Sequence, residues 1–256
     1  MPKIEICVDN IESVITANCL PIDRIELCSA LALGGLSVNY GLLKQAAAIS
    51  TVPLAVMVRG RAGDFVFSES EIQGMLAEIE LAKSLGVQHI VIGALTPSAD
   101  IDLVATKRFI QQAGGMQITF HRAFDLCRNP NIALEQLIDL GCHRILTSGQ
   151  AKTAFDGIAM LQNLVKQADN RLQIMAGCGV NPHNVQAILR QTQVPEIHFS
   201  AKGFRISEMQ TNSPAAMGNN GEQDRRIDVL DANLAQQILD KIGKINEKIT
   251  DCNLYR

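Results

Sequence analysis

Two short segments near the N-terminus pair an acid with a thiol. Glu5 and Cys7 are separated by one aliphatic residue, and Glu26 and Cys28 repeat the pattern in the next apolar run. If both runs are β-strands, residues two apart share a face, so each strand presents a carboxyl and a soft sulfur on the same side. A strand that serves only packing rarely needs this chemistry. We therefore interpret the shared face as a candidate functional site.

Two arginines among glycines follow the third apolar run. Arg59 and Arg61 lie in a segment that also holds Gly60 and Gly63. Guanidinium groups and free backbone N–H groups both bind anions, so the segment predicts an anion clamp. The alternative is that Arg59 neutralises one of the acids at positions 5 and 26 inside the protein, because buried carboxylates need partners.

A histidine ends the fifth apolar run. His121 is followed by Arg122 and Asp125. Histidine at a strand end can carry protons or bind a metal, and it can also be a purely structural residue with its hydrogen bonds satisfied. The charged neighbours favour a functional interpretation, in which His121 carries protons or binds a metal.

Hydroxyls and glycines follow the last three apolar runs, at Thr147, Ser148, Gly177, Gly179 and Ser200. Loops after the seventh and eighth strands of a (β/α)₈ barrel often bind phosphate. Glycines let the backbone approach an anion closely. We expect these residues to contribute to a site for a small anionic ligand.

The elements that would position these residues alternate regularly. We predict eight strands, separated by amphipathic helical stretches: Lys3–Val8, Arg24–Cys28, Leu54–Val58, Gln88–Ile92, Gln117–Phe120, Arg144–Leu146, Gln173–Ala176 and Glu196–Phe199. Eight strand–helix units in 256 residues predict an α/β fold of the (β/α)₈ TIM-barrel type, in one domain spanning residues 1–256. The alternative is a doubly wound open sheet, but no Gly-x-Gly-x-x-Gly follows the first strand.

The face of each strand that packs against the outer helices must be apolar, so the opposite face points into the barrel. The predicted inward set is Glu5, Cys7, Glu26, Cys28, Met57, Arg59, Thr119, His121, His198 and Ser200. This parity gathers acids, thiols, histidines and an arginine into one cavity. The polar stretch 203–228 is long for a connection after the eighth strand, and we interpret it as a lid or a mobile insertion.

Helix boundaries are marked by local signals. Ser68 and Glu71 form a capping-box pattern, Pro130 is placed to open a helix, and Asn181-Pro182 has the pattern of an N-cap followed by proline at the first helical position. An apolar stripe predicts a final helix within Asp231–Thr250.

Composition excludes several classes of protein. The net charge of −3 and the scarcity of aromatic residues argue against a nucleic-acid partner. No apolar run approaches the length of a membrane span. The seven cysteines are odd in number and contain no Cys-x-x-Cys pair, so we expect reduced thiols in a cytoplasmic protein.

Several motifs together resemble the CutC family, named for copper homeostasis. They are Asp23–Cys28, Gly34-Gly35-Leu36, Gly63-Asp64-Phe65, Thr119–Asp125, Leu146–Gly149 and Ala176–Val180. The resemblance covers nearly the whole chain. It implies a TIM barrel, a cytoplasmic location and self-association, which we expect to give a dimer or tetramer. It also implies copper ligands at Cys7 and Cys28.

Three functions are consistent with the sequence. The first is copper handling, with Cu(I) held by Cys7 and Cys28, because two thiols without a nearby imidazole favour copper over a closed zinc site. The second is an enzyme acting on a small anionic or phosphorylated substrate. Its acid and base would be Glu5 or Glu26, with His121 as a second proton carrier and the arginines at 59 and 61 as the clamp. A non-catalytic scaffold is the third, but it leaves the polar strand ends unexplained.

Overall fold

Eight parallel strands close into a barrel in the computed structural model, which describes residues 1–210, 215 and 223–243. The strands are β1 Lys3–Val8, β2 Arg24–Leu27, β3 Leu54–Met57, β4 His89–Ile92, β5 Gln117–Phe120, β6 Arg144–Thr147, β7 Gln173–Ala176 and β8 Glu196–Phe199. Because β1 pairs with both β2 and β8, the sheet has no open edge. The predicted (β/α)₈ barrel is confirmed, and the open sheet is wrong.

Helices separate the strands along the chain. They are α1 Ile11–Asn18, α2 Tyr40–Ile49, α3 Glu69–Ser84, α4 Leu103–Ala113, α5 Pro130–Asp139, α6 Ile158–Ala168, α7 Val185–Thr192 and α8 Ala232–Ile242. None of them combines the length and the apolar character that a bilayer-spanning helix requires, within the residues described. The prediction of a single domain over 1–256 extends beyond these residues and stays a prediction.

The helix starts follow the local signals in all but one case. Ser68 and Glu71 form the capping box of α3, and Pro130 lies in the first turn of α5. The predicted cap at Asn181 is wrong, because α7 begins at Val185. The Asn181 side chain instead accepts a hydrogen bond from the backbone N–H two residues on, which stabilises a turn. The predicted final helix is capped by Asp231, and residues beyond 243 lie outside the described part.

Two separate apolar clusters confirm the predicted sidedness of the strands. The larger cluster joins one face of every strand to the helices and includes Ile4, Ile6, Ile25 and Leu27. The smaller cluster lies inside the barrel and consists of Cys7, Cys28, Ala55, Met57 and Val91. The barrel interior is therefore apolar on one side of the two thiols, and the charged groups described below occupy the other interior positions.

The chain after β8 forms a two-stranded hairpin. Strands β9 Lys202–Ile206 and β10 Arg226–Leu230 pair antiparallel, at the two ends of the stretch 203–228. Ser13 of α1 accepts a hydrogen bond from the Leu230 backbone, and Glu12 pairs with Arg205, so the hairpin is fastened to the first helix. A role for this stretch as a lid stays a prediction, and residues 211–214 and 216–222 lie outside the described part.

Candidate functional site: a thiol, carboxylate and imidazole centre in the barrel

Cys7 and Cys28 meet inside the barrel, as the shared face of β1 and β2 predicts. Their sulfur atoms lie 3.6 Å apart, and both residues are buried. The contact with Cys28, burial and the charge of Glu26 raise the pKa of the Cys7 thiol. Cys7 is therefore a buried, protonated thiol until something displaces its proton.

Glu5 is held by two partners, an arginine and a histidine. Arg24 forms a buried ion pair with one carboxylate oxygen, and His198 Nδ1 lies 2.7 Å from the other. Burial opposes ionisation of Glu5, but Arg24 and His198 more than offset it, and its pKa falls to about 2. Glu5 is consequently a fixed negative charge at neutral pH.

Glu26 has the opposite character. Burial raises the pKa of its carboxyl, against the opposing effect of His198. Its Oε2 lies 3.8 Å from His198 Nε2, and its Oε1 is buried without a hydrogen-bond partner. The neighbouring strands thus provide one carboxyl that is firmly ionised and one that retains its proton more readily, which is how acid and base roles are separated in active sites.

His198 joins the centre from β8. Its ring nitrogen, the Cys7 sulfur and a Glu26 oxygen lie within 4.8 Å of one another. Burial works against protonation of the ring, but Glu26 and Glu5 raise its pKa. The expectation of two thiols without a nearby imidazole is therefore wrong. The inward parity of β8 did place His198 in the cavity, but it did not show which neighbours the ring would reach.

A buried ionic network below the centre was missed by the sequence reasoning. Arg24 bridges Glu5 and Glu196, and Glu196 also pairs with Arg144. All four side chains are buried. The signal was available, because Arg24 has the same parity as Glu26, and Arg144 is the β-ladder partner of the inward-facing Thr119.

Arg59 lies apart from both acids. Its guanidinium donates to the backbone carbonyls of Leu33, Gly35 and Gly63, and it stacks on Phe65 with its Cζ 4.6 Å from the ring centroid. The alternative in which Arg59 neutralises a barrel carboxylate is therefore wrong, and Arg24 has that role. The Nε–H of Arg59 is buried without a partner.

Arg61 is engaged by its own loop. Its guanidinium pairs with Asp64 and Glu71 at 2.9 and 2.5 Å, and the side chain is 37% exposed. These acids neutralise the charge that an external anion would need. The structure does not bring Arg61 to the centre at Cys7, and its predicted role in anion binding stays a prediction.

His121 is buried beside Phe65, with their ring centroids 4.9 Å apart. Its Nδ1 accepts a hydrogen bond from the backbone N–H of Ala123, and its Nε2 has no partner. Burial and the charge of Arg59 lower the pKa of His121 to about 3. The ring is therefore neutral, and with Nδ1 as acceptor its Nε2 carries the proton. Gly93 leaves room for the ring, because a Cβ at that position would overlap it.

The hydroxyl and N–H donors that follow β6 bind a carboxylate of the protein, Asp125. Asp125 accepts hydrogen bonds from the Thr147 hydroxyl at 2.5 Å and from the backbone N–H groups of Ser148 and Gln150. The side chain of Ser148 donates to Ala151 instead. The donors predicted for an external anion thus bind a carboxylate of the protein itself.

The remaining residues predicted for anion binding, Gly177, Gly179 and Ser200, have different surroundings from one another. A Cβ at Gly177 would collide with Leu146 and approach the His198 ring, so this glycine makes space for the imidazole. Gly179 adopts a positive φ of 70°, which favours glycine. Ser200 lines a cavity of about 10 Å³ that also touches Cys7 and the hairpin. Their contribution to anion binding stays a prediction.

The state of the cysteines bears on the expectation of reduced thiols. Cys7, Cys28, Cys127, Cys142 and Cys178 are free thiols. Cys19 is not among these free thiols, so the expectation of reduced thiols holds for the five named cysteines.

Comparisons with known proteins agree on one family. The sequence profile of the CutC family matches residues 2–203. The family protein CutC of Glaesserella parasuis is 62% identical over 241 residues, covering 94% of this chain and 99% of the relative. The Pasteurella multocida protein of the same name is 52% identical over 225 residues, covering 88% and 92%.

Solved structures give the same result. The copper homeostasis protein CutC of Streptococcus agalactiae superposes with a TM-score of 0.75 at 33% identity, covering 78% of this chain and 99% of that one. A phosphoribosylanthranilate isomerase from Pyrococcus furiosus, at 11% identity and a TM-score of 0.55, shares the barrel fold alone. This chain therefore belongs to the CutC family.

Proposed function

We propose that this protein handles copper by binding Cu(I) between Cys7 and Cys28. The observation that carries the proposal is the 3.6 Å separation of the two buried sulfurs. Two thiolates bound to one ion at about 2.3 Å lie about 3.8 Å apart in tetrahedral geometry and about 4.6 Å apart in the linear geometry of two-coordinate Cu(I), so the sulfurs need to separate by at most about 1 Å to hold a metal. Thiolates are the soft ligands that favour Cu(I).

The surroundings of the thiols support this assignment. Ala55, Met57 and Val91 pack around them within the barrel, which excludes water and favours a soft, weakly hydrated ion. The cavity of about 10 Å³ on the hairpin side of Cys7 has room for about one water molecule. The cytoplasm is the proposed location, because a reducing compartment maintains such thiols.

The test is a competition between the protein and a chromophoric Cu(I) chelator. We expect the double variant Cys7→Ser and Cys28→Ser to lose tight Cu(I) binding while keeping its circular dichroism spectrum. The matched control replaces Cys127 and Cys142, two buried free thiols elsewhere in the fold, and should bind Cu(I) like the unmodified protein. Equal affinity in both double variants would refute the thiol site.

A second candidate is an enzyme acting on a small anionic or phosphorylated substrate. It is favoured by two buried donors, Arg59 Nε and His121 Nε2, which have no partner and which flank the same phenylalanine. Buried donors of this kind commonly await a ligand. In this hypothesis Glu5 or Glu26 is the acid or base, and His121 is a second proton carrier.

Phosphate and acetate titrations followed by NMR test this candidate. An anion bound between Arg59 and His121 should shift the His121 ring resonances, and Arg59→Met should abolish the shift. The variant with Ser at positions 7 and 28 should respond as the unmodified protein does. An unshifted His121 at saturating anion would count against the enzyme.

Self-association into a dimer or tetramer is also proposed. Exposed apolar side chains on and beside the hairpin, at Phe204, Ile206 and Met209, support it. Light scattering coupled to size-exclusion chromatography measures the mass directly, and a monomer across the micromolar range would contradict it.

A further inference from the structure

A second set of metal-binding side chains meets the thiol pair at Cys7. Donor atoms of Cys7, Glu26 and His198 lie within 4.8 Å of one another, and among the residues described they form the only such group of three. Cys28 is not a member of this group, although its sulfur is 3.6 Å from that of Cys7. One thiol therefore belongs to two donor sets of different chemistry.

The imidazole is oriented toward this group. Glu5 engages His198 Nδ1 at 2.7 Å, which leaves Nε2 as the nitrogen that faces Glu26, at 3.8 Å. Arg24 in turn fixes Glu5 through a buried ion pair. A carboxylate that holds the far nitrogen of a histidine is the usual arrangement behind a metal-binding imidazole.

The carboxylate has a free oxygen. Glu26 is only 2% exposed, and its Oε1 has no hydrogen-bond donor. Since buried polar atoms in native proteins almost always have a partner, this oxygen indicates a missing one. A cation is the partner that would satisfy a thiolate, an imidazole and a carboxylate at the same time.

We propose that Cys7, Glu26 and His198 form a divalent-metal site for an ion such as Zn²⁺, with Glu5 as its positioning residue. The proposal rests on the proposed function, because this site shares Cys7 with the Cu(I) pair and the two ions exclude each other. Sulfur, nitrogen and oxygen ligands suit Zn²⁺, and three protein ligands leave a fourth position open. Two thiolates alone suit Cu(I).

Cobalt titration tests the assignment, because Co²⁺ replaces Zn²⁺ and gives thiolate charge-transfer and tetrahedral visible bands. His198→Gln should weaken Co²⁺ binding at least tenfold and leave Cu(I) affinity within about threefold. Cys28→Ser should weaken Cu(I) binding at least tenfold and leave Co²⁺ affinity within about threefold. Cys7→Ser should lose both ions, and one equivalent of Cu(I) should bleach the cobalt bands of the unmodified protein.

Glu5→Gln tests the positioning residue. It should weaken Co²⁺ binding by about 10–100-fold, the effect typical of losing the carboxylate behind a ligating histidine, with Cu(I) affinity unchanged. A general loss of structure would instead weaken both ions together. His121→Gln is the matched histidine control and should bind both ions normally, because this ring is outside the group of three.

The unmodified protein supplies a measurement that does not depend on variants. The Co²⁺ form should show a hyperfine-shifted, slowly exchanging imidazole N–H resonance from the His198 proton held by Glu5. Absence of that resonance, absence of a thiolate–cobalt band, or full Co²⁺ affinity in His198→Gln would overturn the divalent site. Tight Cu(I) binding by Cys28→Ser would contradict the proposed function and the competition of the two ions for Cys7. The cobalt spectra test the three-ligand site independently of that result.

Discussion

Glu5 and Glu26 illustrate how position within one barrel shifts the pKa values of two identical side chains in opposite directions. Both are buried on neighbouring strands. Glu5 has Arg24 beside it and a pKa of about 2, whereas burial raises the pKa of Glu26, whose Oε1 has no donor. The difference comes from the partners, because the two carboxyls are equally removed from water.

Arg24→Met tests this explanation at the residue scale. Without the guanidinium, burial acts on Glu5 with only His198 opposing it, so the Glu5 pKa should rise well above its present value of about 2. Carboxyl-carbon NMR titration measures the change. Arg59→Met is the matched control and should leave Glu5 unmoved, because Arg59 donates to backbone carbonyls instead. A larger shift in the control than in Arg24→Met would contradict the assignment.

Sequence reasoning could predict which residues enter the barrel but not which of them touch. Alternation placed Glu5, Cys7, Glu26, Cys28 and His198 inside, because side-chain direction has a period of two. Contacts depend on the stagger between strands, which periodicity does not encode. For this reason the alternative that one arginine neutralises a barrel acid named Arg59, whereas Arg24 has that role.

At the scale of elements, the hairpin is the part that the sequence predicted least well. The strand–helix alternation located every barrel strand to within one residue at each end. The stretch 203–228 was recognised only as long and polar, since its strands β9 and β10 are largely exposed and lack the apolar alternation of a half-buried strand.

Asp228→Asn tests whether the hairpin controls access to Cys7. The Lys202–Asp228 ion pair is 2.6 Å long, and both residues line the cavity beside Cys7. Breaking an exposed pair should change the free energy of unfolding by less than about 1 kcal/mol. It should nevertheless increase the alkylation rate of Cys7 severalfold, measured by peptide mass spectrometry.

A surface pair elsewhere provides the comparison. Asp100→Asn breaks the exposed pair with Arg128 and should leave Cys7 alkylation unchanged. Equal alkylation rates in all three proteins would show that the hairpin is not the barrier to the thiol.

Stability against acid is a property of the whole molecule, and His121 contributes to its pH dependence. Its folded-state pKa of about 3 lies below the ordinary value of 6.5. The unfolded chain therefore binds a proton in this interval that the folded chain does not, and stability is lost as the pH falls from 6.5 toward 3. For one group the slope is about 1.4 kcal/mol per pH unit.

His121→Gln should accordingly flatten the decline. Urea unfolding between pH 6.5 and pH 4 should give a free energy that falls less steeply, by up to about 1.4 kcal/mol per pH unit, than in the unmodified protein. His183→Gln, which removes an exposed histidine, is the matched control. Parallel curves for the His121 variant and the unmodified protein would refute the buried neutral histidine.

The pairing of the first barrel strand with the last sets the order in which the two donor sets form during synthesis. Cys7 and Cys28 are separated by 21 residues along the chain, whereas Glu5 and His198 are separated by 193. During synthesis from the N-terminus, both thiols leave the ribosome long before the strand that carries the imidazole. The dithiol is thus available to a nascent chain, while the three-ligand group exists only after the last barrel strand has docked beside the first. The presence of the complete three-ligand group therefore reports that the barrel has closed.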